Sequence, residues 1–141
     1  MDIYFAAAIS GGRSLQKEYK KIIEHLKTYG KVLTEHIGSE SLTEKGEKNI
    51  RSEDIFKRDI LWLRKSDVFV CELTVPSFGV GWEVCYAFLL GLPMLGLYMG
   101  KKRRISAMVS VPLGKNLFNY SSIEEAYSHI DRFFNRISFK N

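Results

Sequence analysis

Short, almost unbroken apolar runs alternate with amphipathic segments along this chain, and that alternation leaves few folds open. Residues 2–9 (DIYFAAAI), 31–35 (KVLTE), 68–73 (VFVCEL), 93–99 and 117–120 read as strands. Between the first two, Leu15, Tyr19, Ile22, Ile23 and Leu26 recur at helical spacing, with Gly30 placed to end that helix. Residues 36–50 are polar and carry no clear element. A helix is expected over 53–65, with Ser52 as N-cap and Ile55, Phe56, Ile60 and Leu63 turned inward. Another is expected over 81–90, and a capping box at Ser122 and Glu125 opens the last. Strands that are apolar on both sides must be covered on both faces, which argues for a parallel sheet with helices above and below. Right-handed crossovers then suggest a doubly wound α/β sheet, Rossmann- or flavodoxin-like, in the order 2-1-3-4-5. Residues 1–141 are expected to form a single domain. Such sheets bind ligands beyond the carboxyl ends of the strands, where the order reverses. The loops expected there are 10–13 and 74–81, and both are rich in glycine.

Other classes fit poorly. At 45% hydrophobic and 26% charged residues the composition is that of a globular protein. No run approaches the length of a membrane span, and no signal peptide is visible, so a cytoplasmic protein is expected, or a nuclear one in a eukaryote. Cys71 and Cys85 lie in apolar segments, as reduced buried thiols do. With His25, His36 and His129 they show no metal-ligand spacing, and no metal or cofactor is expected. The net charge of +5 raises the question of nucleic acid, but the basic residues, Arg58 and Arg64 among them, are scattered along helix faces. Only residues 101–104 (KKRR) form a block, and no nucleic-acid-binding motif accompanies them. A small anionic substrate would be served by the same field.

The stretch TVPSFGVGWEVCYAFLLG, residues 74–91, sets a glutamate at the mouth of an apolar helix. Glu83 in the first turn would be favoured as an ion by the macrodipole, and it is either a helix-start acid or a reactive group. Asp59 stands among Ile55, Phe56, Trp62 and Leu63, where a carboxylate is costly unless paired or used. Two carboxylates at one site are what cleavage of a glycosidic bond needs. Ser77 and the amides of Gly79 and Gly81 are placed to hold a phosphate beside them. Gly11, Gly12 and Arg13 offer a second turn with free amides, although they form neither a dinucleotide fingerprint nor a Walker A loop. Tyr4, on the first strand, is either a core aromatic or a phenol in the same crevice.

Taken in order, Tyr4-Phe5, Ile9-x-Gly-Gly-Arg13, Val32-Leu-Thr-Glu-His36, Asp59-x-x-Trp62-Leu63, Pro76-Ser77-x-Gly-Val-Gly-x-Glu83 and Ser106-Ala107-Met108 resemble the 2′-deoxynucleoside 5′-monophosphate N-hydrolases. Those enzymes belong to the nucleoside 2-deoxyribosyltransferase superfamily. The resemblance implies a Rossmann-like homodimer that hydrolyses an N-glycosidic bond to free base and deoxyribose 5-phosphate. It implies Glu83 as the nucleophile of a covalent intermediate, Asp59 as the assisting carboxylate and Tyr4 as the active-site tyrosine. Ile9, Ser10, Gly11, Gly12, Arg13, His36, Ser77, Gly79 and Gly81 would line the substrate site. Ser106 would come from the other subunit, and Ala107 and Met108 would also contact substrate. The family's first loop carries a hydroxyl and a guanidinium where this chain has Ala8 and Ser10, which bears on base preference and on 2′-deoxy selectivity. A transferase that moves deoxyribose between bases, and a nucleotide sensor without turnover, are the alternatives.

Overall fold

The computed structural model describes residues 1–9, 14–43, 45–100 and 105–138. Its strands β1 (Asp2–Ala6), β2 (Lys31–Val32), β3 (Val68–Glu72), β4 (Met94–Met99) and β5 (Leu117–Tyr120) form one sheet in the order β2-β1-β3-β4-β5. Every pairing is parallel. The helices are α1 (Gln16–Leu26), α2 (Ser52–Lys65), α3 (Phe78–Leu89), α4 (Ala107–Leu113) and α5 (Ile123–Ser138).

The period of two along each strand divides the core. Ile3, Phe5, Val68 and Val70 pack with Tyr19, Ile22 and Leu26 of α1 and with Ile130, Phe133 and Phe134 of α5. Tyr4, Ala6, Phe69 and Cys71 face the other way, against Leu63 of α2, Val80, Val84 and Ala87 of α3, and Leu113 of α4. The central strands are therefore almost continuously apolar because both faces are covered, with polar residues such as Asp2, Lys31, Glu72 and Asn119 confined to strand ends and the edge strands. Tyr4 faces the α2–α3 side, and this orientation decides what its hydroxyl can reach.

Several boundaries differ from expectation for identifiable reasons. The first strand stops at Ala6, and Ala7 to Ile9 carry the chain out over the sheet edge. The second ends at Val32 because Thr34 replaces the ladder: its hydroxyl accepts from Phe5 N (2.9 Å) and donates to Phe5 O (2.7 Å). The stretch 36–50, read as featureless, opens with a 3-10 turn over Glu35–Gly38 and holds a bridge between Thr43 and Gly46. Gly30 does not end α1, which stops at Leu26. It lets the chain pass Met1, whose carbonyl oxygen lies 2.3 Å from where a Cβ would stand. Ser52 is the first residue of α2 rather than its cap. Phe56, expected inward, is 58% exposed and meets the Trp82 ring edge-on at 5.7 Å. Residues 107–113 form a helix that the periodicity did not mark; Gly96 on β4 gives Leu113 room to pack there. At the start of α5, Ser122 Oγ accepts from Glu125 N (3.3 Å) and Glu125 returns a bond to Ser121 N (2.6 Å), one residue short of a full capping box.

Candidate active site

A cleft of about 480 Å³ opens at the carboxyl ends of β1 and β3, where the strand order reverses. Tyr4, Ile9, His36, Asp59, Ser77, Gly79 and Glu83, all predicted from the sequence, line it together. Thr34, Glu47 and Arg58 also line it. A smaller cavity of about 180 Å³ shares Pro76, Ser77 and Val80 with the cleft and adds Gly81 and Ser106. Ala107 and Met108 line neither cavity; they begin α4, and Met108 is 78% exposed. Ser10, Gly11, Gly12 and Arg13, together with residues 101–104, lie outside the described residues.

Glu83 sits at the cleft floor in the second turn of α3, because the helix begins at Phe78 rather than at Gly81. The macrodipole that was expected to favour its ionised form acts mainly in the first turn. Burial dominates instead and pushes the Glu83 carboxyl up to about 7, with Asp59 adding to the rise and the Tyr4 hydrogen bond opposing it. Tyr4 donates its hydroxyl to Glu83 Oε1 at 2.5 Å. Its ring is 1% exposed and stacks on Phe69. Core aromatic and site phenol are thus the same residue: the buried ring fixes where the hydroxyl points. Burial, followed by the negative charges of Glu83 and Asp59, drives the phenol well above its ordinary range, so it remains a hydrogen-bond donor.

Ser77 is the N-cap of α3, its hydroxyl accepting from Val80 N at 3.4 Å. Gly81 N is already committed to Ser77 O (3.1 Å), so the expectation that its amide would face a phosphate does not hold. The first-turn amides of Phe78 and Gly79 have no acceptor four residues back within the helix, and they point out of its N-terminus. Ser106 caps α4 in the same manner, accepting from Met108 N at 3.3 Å.

Two charged cleft residues were missed. Arg58, read as a solvated helix-face base, bonds through Nη1 and Nη2 to the two oxygens of Glu47 (2.6 and 2.9 Å) and through Nε to Asp59 Oδ1 (2.9 Å). Glu47 also takes His36 Nε2 at 2.6 Å. Burial holds His36 below its ordinary range, and the Arg58 hydrogen bonds hold Glu47 below its own. Burial pushes the Asp59 carboxyl up even though Arg58 pulls it down. The sequence offered one signal for Arg58: Trp62 lies four residues on, and the guanidinium stacks 4.6 Å above its ring. Glu47 sits in irregular chain and had no periodic signal at all. Among the described residues, no three His, Cys, Asp or Glu side chains are grouped to hold a metal ion.

The profile of the nucleoside 2-deoxyribosyltransferase family matches residues 3–124, which spans the sheet, the cleft and both serine caps. The chain belongs to that family. Two relatives carry more specific names. A 5-hydroxymethyl-dUMP N-hydrolase of Mus musculus is 44% identical over 109 residues, covering 76% of this chain and 63% of the mouse protein. One of Danio rerio is 40% identical over 126 residues, covering 89% of this chain and 88% of its own. A solved CMP N-glycosidase of Clostridium botulinum superposes with a TM-score of 0.66 at 17% identity, covering 94% of this chain and 99% of that one. A 2-deoxyribosyltransferase of Bacillus psychrosaccharolyticus does so at 0.64 and 16%, covering 90% of each. These two likenesses show a shared fold. No helix among the described residues is long and apolar enough to cross a membrane.

Proposed function

We propose that this chain hydrolyses the N-glycosidic bond of 2′-deoxynucleoside 5′-monophosphates, with Glu83 as the nucleophile. The observation that carries the reading is Glu83 itself, partly buried on the cleft floor, fixed by the Tyr4 hydroxyl at 2.5 Å and flanked by Asp59. The names of its relatives, N-hydrolases of deoxynucleotides, support the same bond and the same substrate class. Glu83 attacks C1′ as the C1′–N bond breaks, and the base departs with the bonding electron pair and takes a proton from a water molecule on Asp59's side of the site. Water then attacks C1′ of the glycosyl ester: its oxygen becomes the anomeric hydroxyl of deoxyribose 5-phosphate, the C1′–O bond to Glu83 breaks to restore the carboxylate, and the released proton balances the hydroxide left by protonation of the base. The N-terminus of α3, with Ser77, receives the 5′-phosphate, and we assign Gly11, Gly12 and Arg13 to the same anion. A panel of nucleoside 5′-monophosphates and nucleosides, with and without acceptor bases, tests this. Free base and deoxyribose 5-phosphate are expected; a new nucleoside built on the acceptor would show a transferase instead.

The pH dependence follows from Glu83. Only the carboxylate attacks, and burial raises its midpoint to about 7. The value of kcat/KM is therefore expected to climb as pH rises through about 7 and to level off above it. The Tyr4 hydrogen bond favours the ionised form, so in Tyr4→Phe this limb shifts to higher pH; a shift to lower pH, or none, contradicts the role.

The reading includes a homodimer in which Ser106, with Ala107 and Met108 beside it, completes the neighbouring site. Its support is the apolar surface of α3 and α4: Phe78, Leu89, Met108 and Val111 are each at least 73% exposed. A second reading is favoured by the cavity that Ser77 and Ser106 share within one chain. Mixing Glu83→Ala and Ser106→Ala subunits separates the two. Activity well above that of either parent is expected if Ser106 acts across the interface, because one site in each mixed dimer is whole. If Ser106 serves its own chain, mixing restores nothing.

A further inference from the structure

Arg58 and Asp59 are adjacent on one helix, yet the guanidinium meets the carboxylate at 2.9 Å from Nε and 2.8 Å from Nη2. Neighbouring helical residues point about 100° apart and do not ordinarily face each other. Something must bend the arginine across. Two contacts do so: the Glu47 carboxylate grips both terminal nitrogens, and the Trp62 ring, one turn on, lies under the guanidinium. Glu47 is itself built into place. The backbone is left-handed on either side of it, at Gly46 (φ 75°) and Asn49 (φ 67°), and His36 binds its Oε1. With its side chain only 13% exposed, Glu47 is the most buried member of the His36–Glu47–Arg58–Asp59 chain. Four of the five N–H groups of Arg58 meet the two carboxylates, which leaves one, on Nη1, and sets the guanidinium chiefly to holding Glu47 and Asp59.

We infer that Glu47 and Arg58 are positioning residues, a clamp that holds Asp59 in the direction and charge state that the hydrolysis uses. Arg58 supplies the positive charge, and Glu47 determines where that charge sits. The groups facing Asp59 are Arg58 on its own helix, His36 from the 3-10 turn, Glu47 from the loop, and Tyr4 and Glu83 from β1 and α3. Of these, Arg58 and His36 favour the Asp59 carboxylate, while Glu47 by charge alone opposes it.

That opposition makes the sign of one experiment decisive. Loss of the Glu47 charge alone lowers the Asp59 midpoint; loss of the clamp releases Arg58 and raises it. The inference rests on the hydrolase reading for its catalytic half, so one arm of the test needs no turnover. Carboxyl ¹³C NMR of the full chain follows the Asp59 titration in wild type, Arg58→Met and Glu47→Gln. Upward shifts are expected in both variants; no shift in Arg58→Met, or a downward shift in Glu47→Gln, overturns the clamp. Glu47→Gln keeps the shape of the side chain and serves if Arg58→Met fails to fold. In the second arm, Arg58→Met is expected to lower kcat by about tenfold with KM changed by less than about threefold, and to have almost no further effect in the Asp59→Asn background. The same loss in both backgrounds means that Arg58 does not act through Asp59, and overturns the inference. A wild-type protein that releases no base refutes the hydrolase reading instead, and the NMR arm still judges the clamp.

Discussion

Glu83→Ala is expected to lose at least about three powers of ten in turnover, which corresponds to about 4 kcal/mol in the barrier. The fold is expected to survive. Truncation leaves the Tyr4 hydroxyl without its acceptor, at a cost of about 1–3 kcal/mol, against a total stability of about 5–15 kcal/mol for a typical domain. The same substitution removes a carboxyl that burial already disfavours as an ion, which offsets part of that cost. Glu83→Gln keeps an acceptor for Tyr4 and separates chemistry from packing more cleanly still. Both variants are expected to melt near wild type and to bind nucleotide without cleaving it. A variant that melts normally and keeps most of its activity would reduce Glu83 to a structural residue.

The second large effect concerns the substrate. A nucleoside 5′-monophosphate is expected to be cleaved with a kcat/KM at least about 100-fold above that of the nucleoside sharing its base and sugar. About 3 kcal/mol is needed for such a ratio. The N-terminus of a helix contributes about 0.3–1 kcal/mol toward an anion, and a hydrogen bond to a charged group about 1.5–3 kcal/mol. The α3 terminus and Ser77 together reach the required size only if the binding energy is expressed in the transition state. Steady-state kinetics on the matched pair checks this, and Ser77→Ala is expected to narrow the gap. Equal values for nucleotide and nucleoside would remove the phosphate from the account.

The parts of this molecule that were legible in its sequence are those that follow from periodicity. Strand order, parallel pairing and the placing of the site at the β1/β3 reversal came from apolar runs that had to be covered on both faces. Tyr4, Asp59, Ser77 and Glu83 each stood out by residue type, a phenol in a strand, carboxylates on apolar helices and a serine before a glycine-rich helix start, and the family resemblance grouped them; the structure brings them to one cleft. What could not be read depended on side chains crossing between elements. Thr34 ends a strand by bonding to the backbone of β1. Arg58 looked like one more basic helix residue because its partner, Glu47, lies in chain without a period. The upward shift of the Glu83 carboxyl was not foreseen for a related reason: a helix register three residues off moved it from the first turn to the second, and burial is a property of the packed sheet, not of the segment. The amide of Gly81 was lost to the same shift, since the earlier helix start gave it a carbonyl partner.

The covalent step is the centre of this account, and mass spectrometry reaches it directly. Wild-type protein is mixed with a slowly cleaved 2′-deoxynucleoside 5′-monophosphate analogue, quenched in acid and digested. A deoxyribose 5-phosphate adduct is expected on the peptide that contains Glu83, and it should be absent from Glu83→Gln treated in parallel. Base release with no adduct at any time point, or an adduct mapped to Asp59, would contradict Glu83 as the nucleophile.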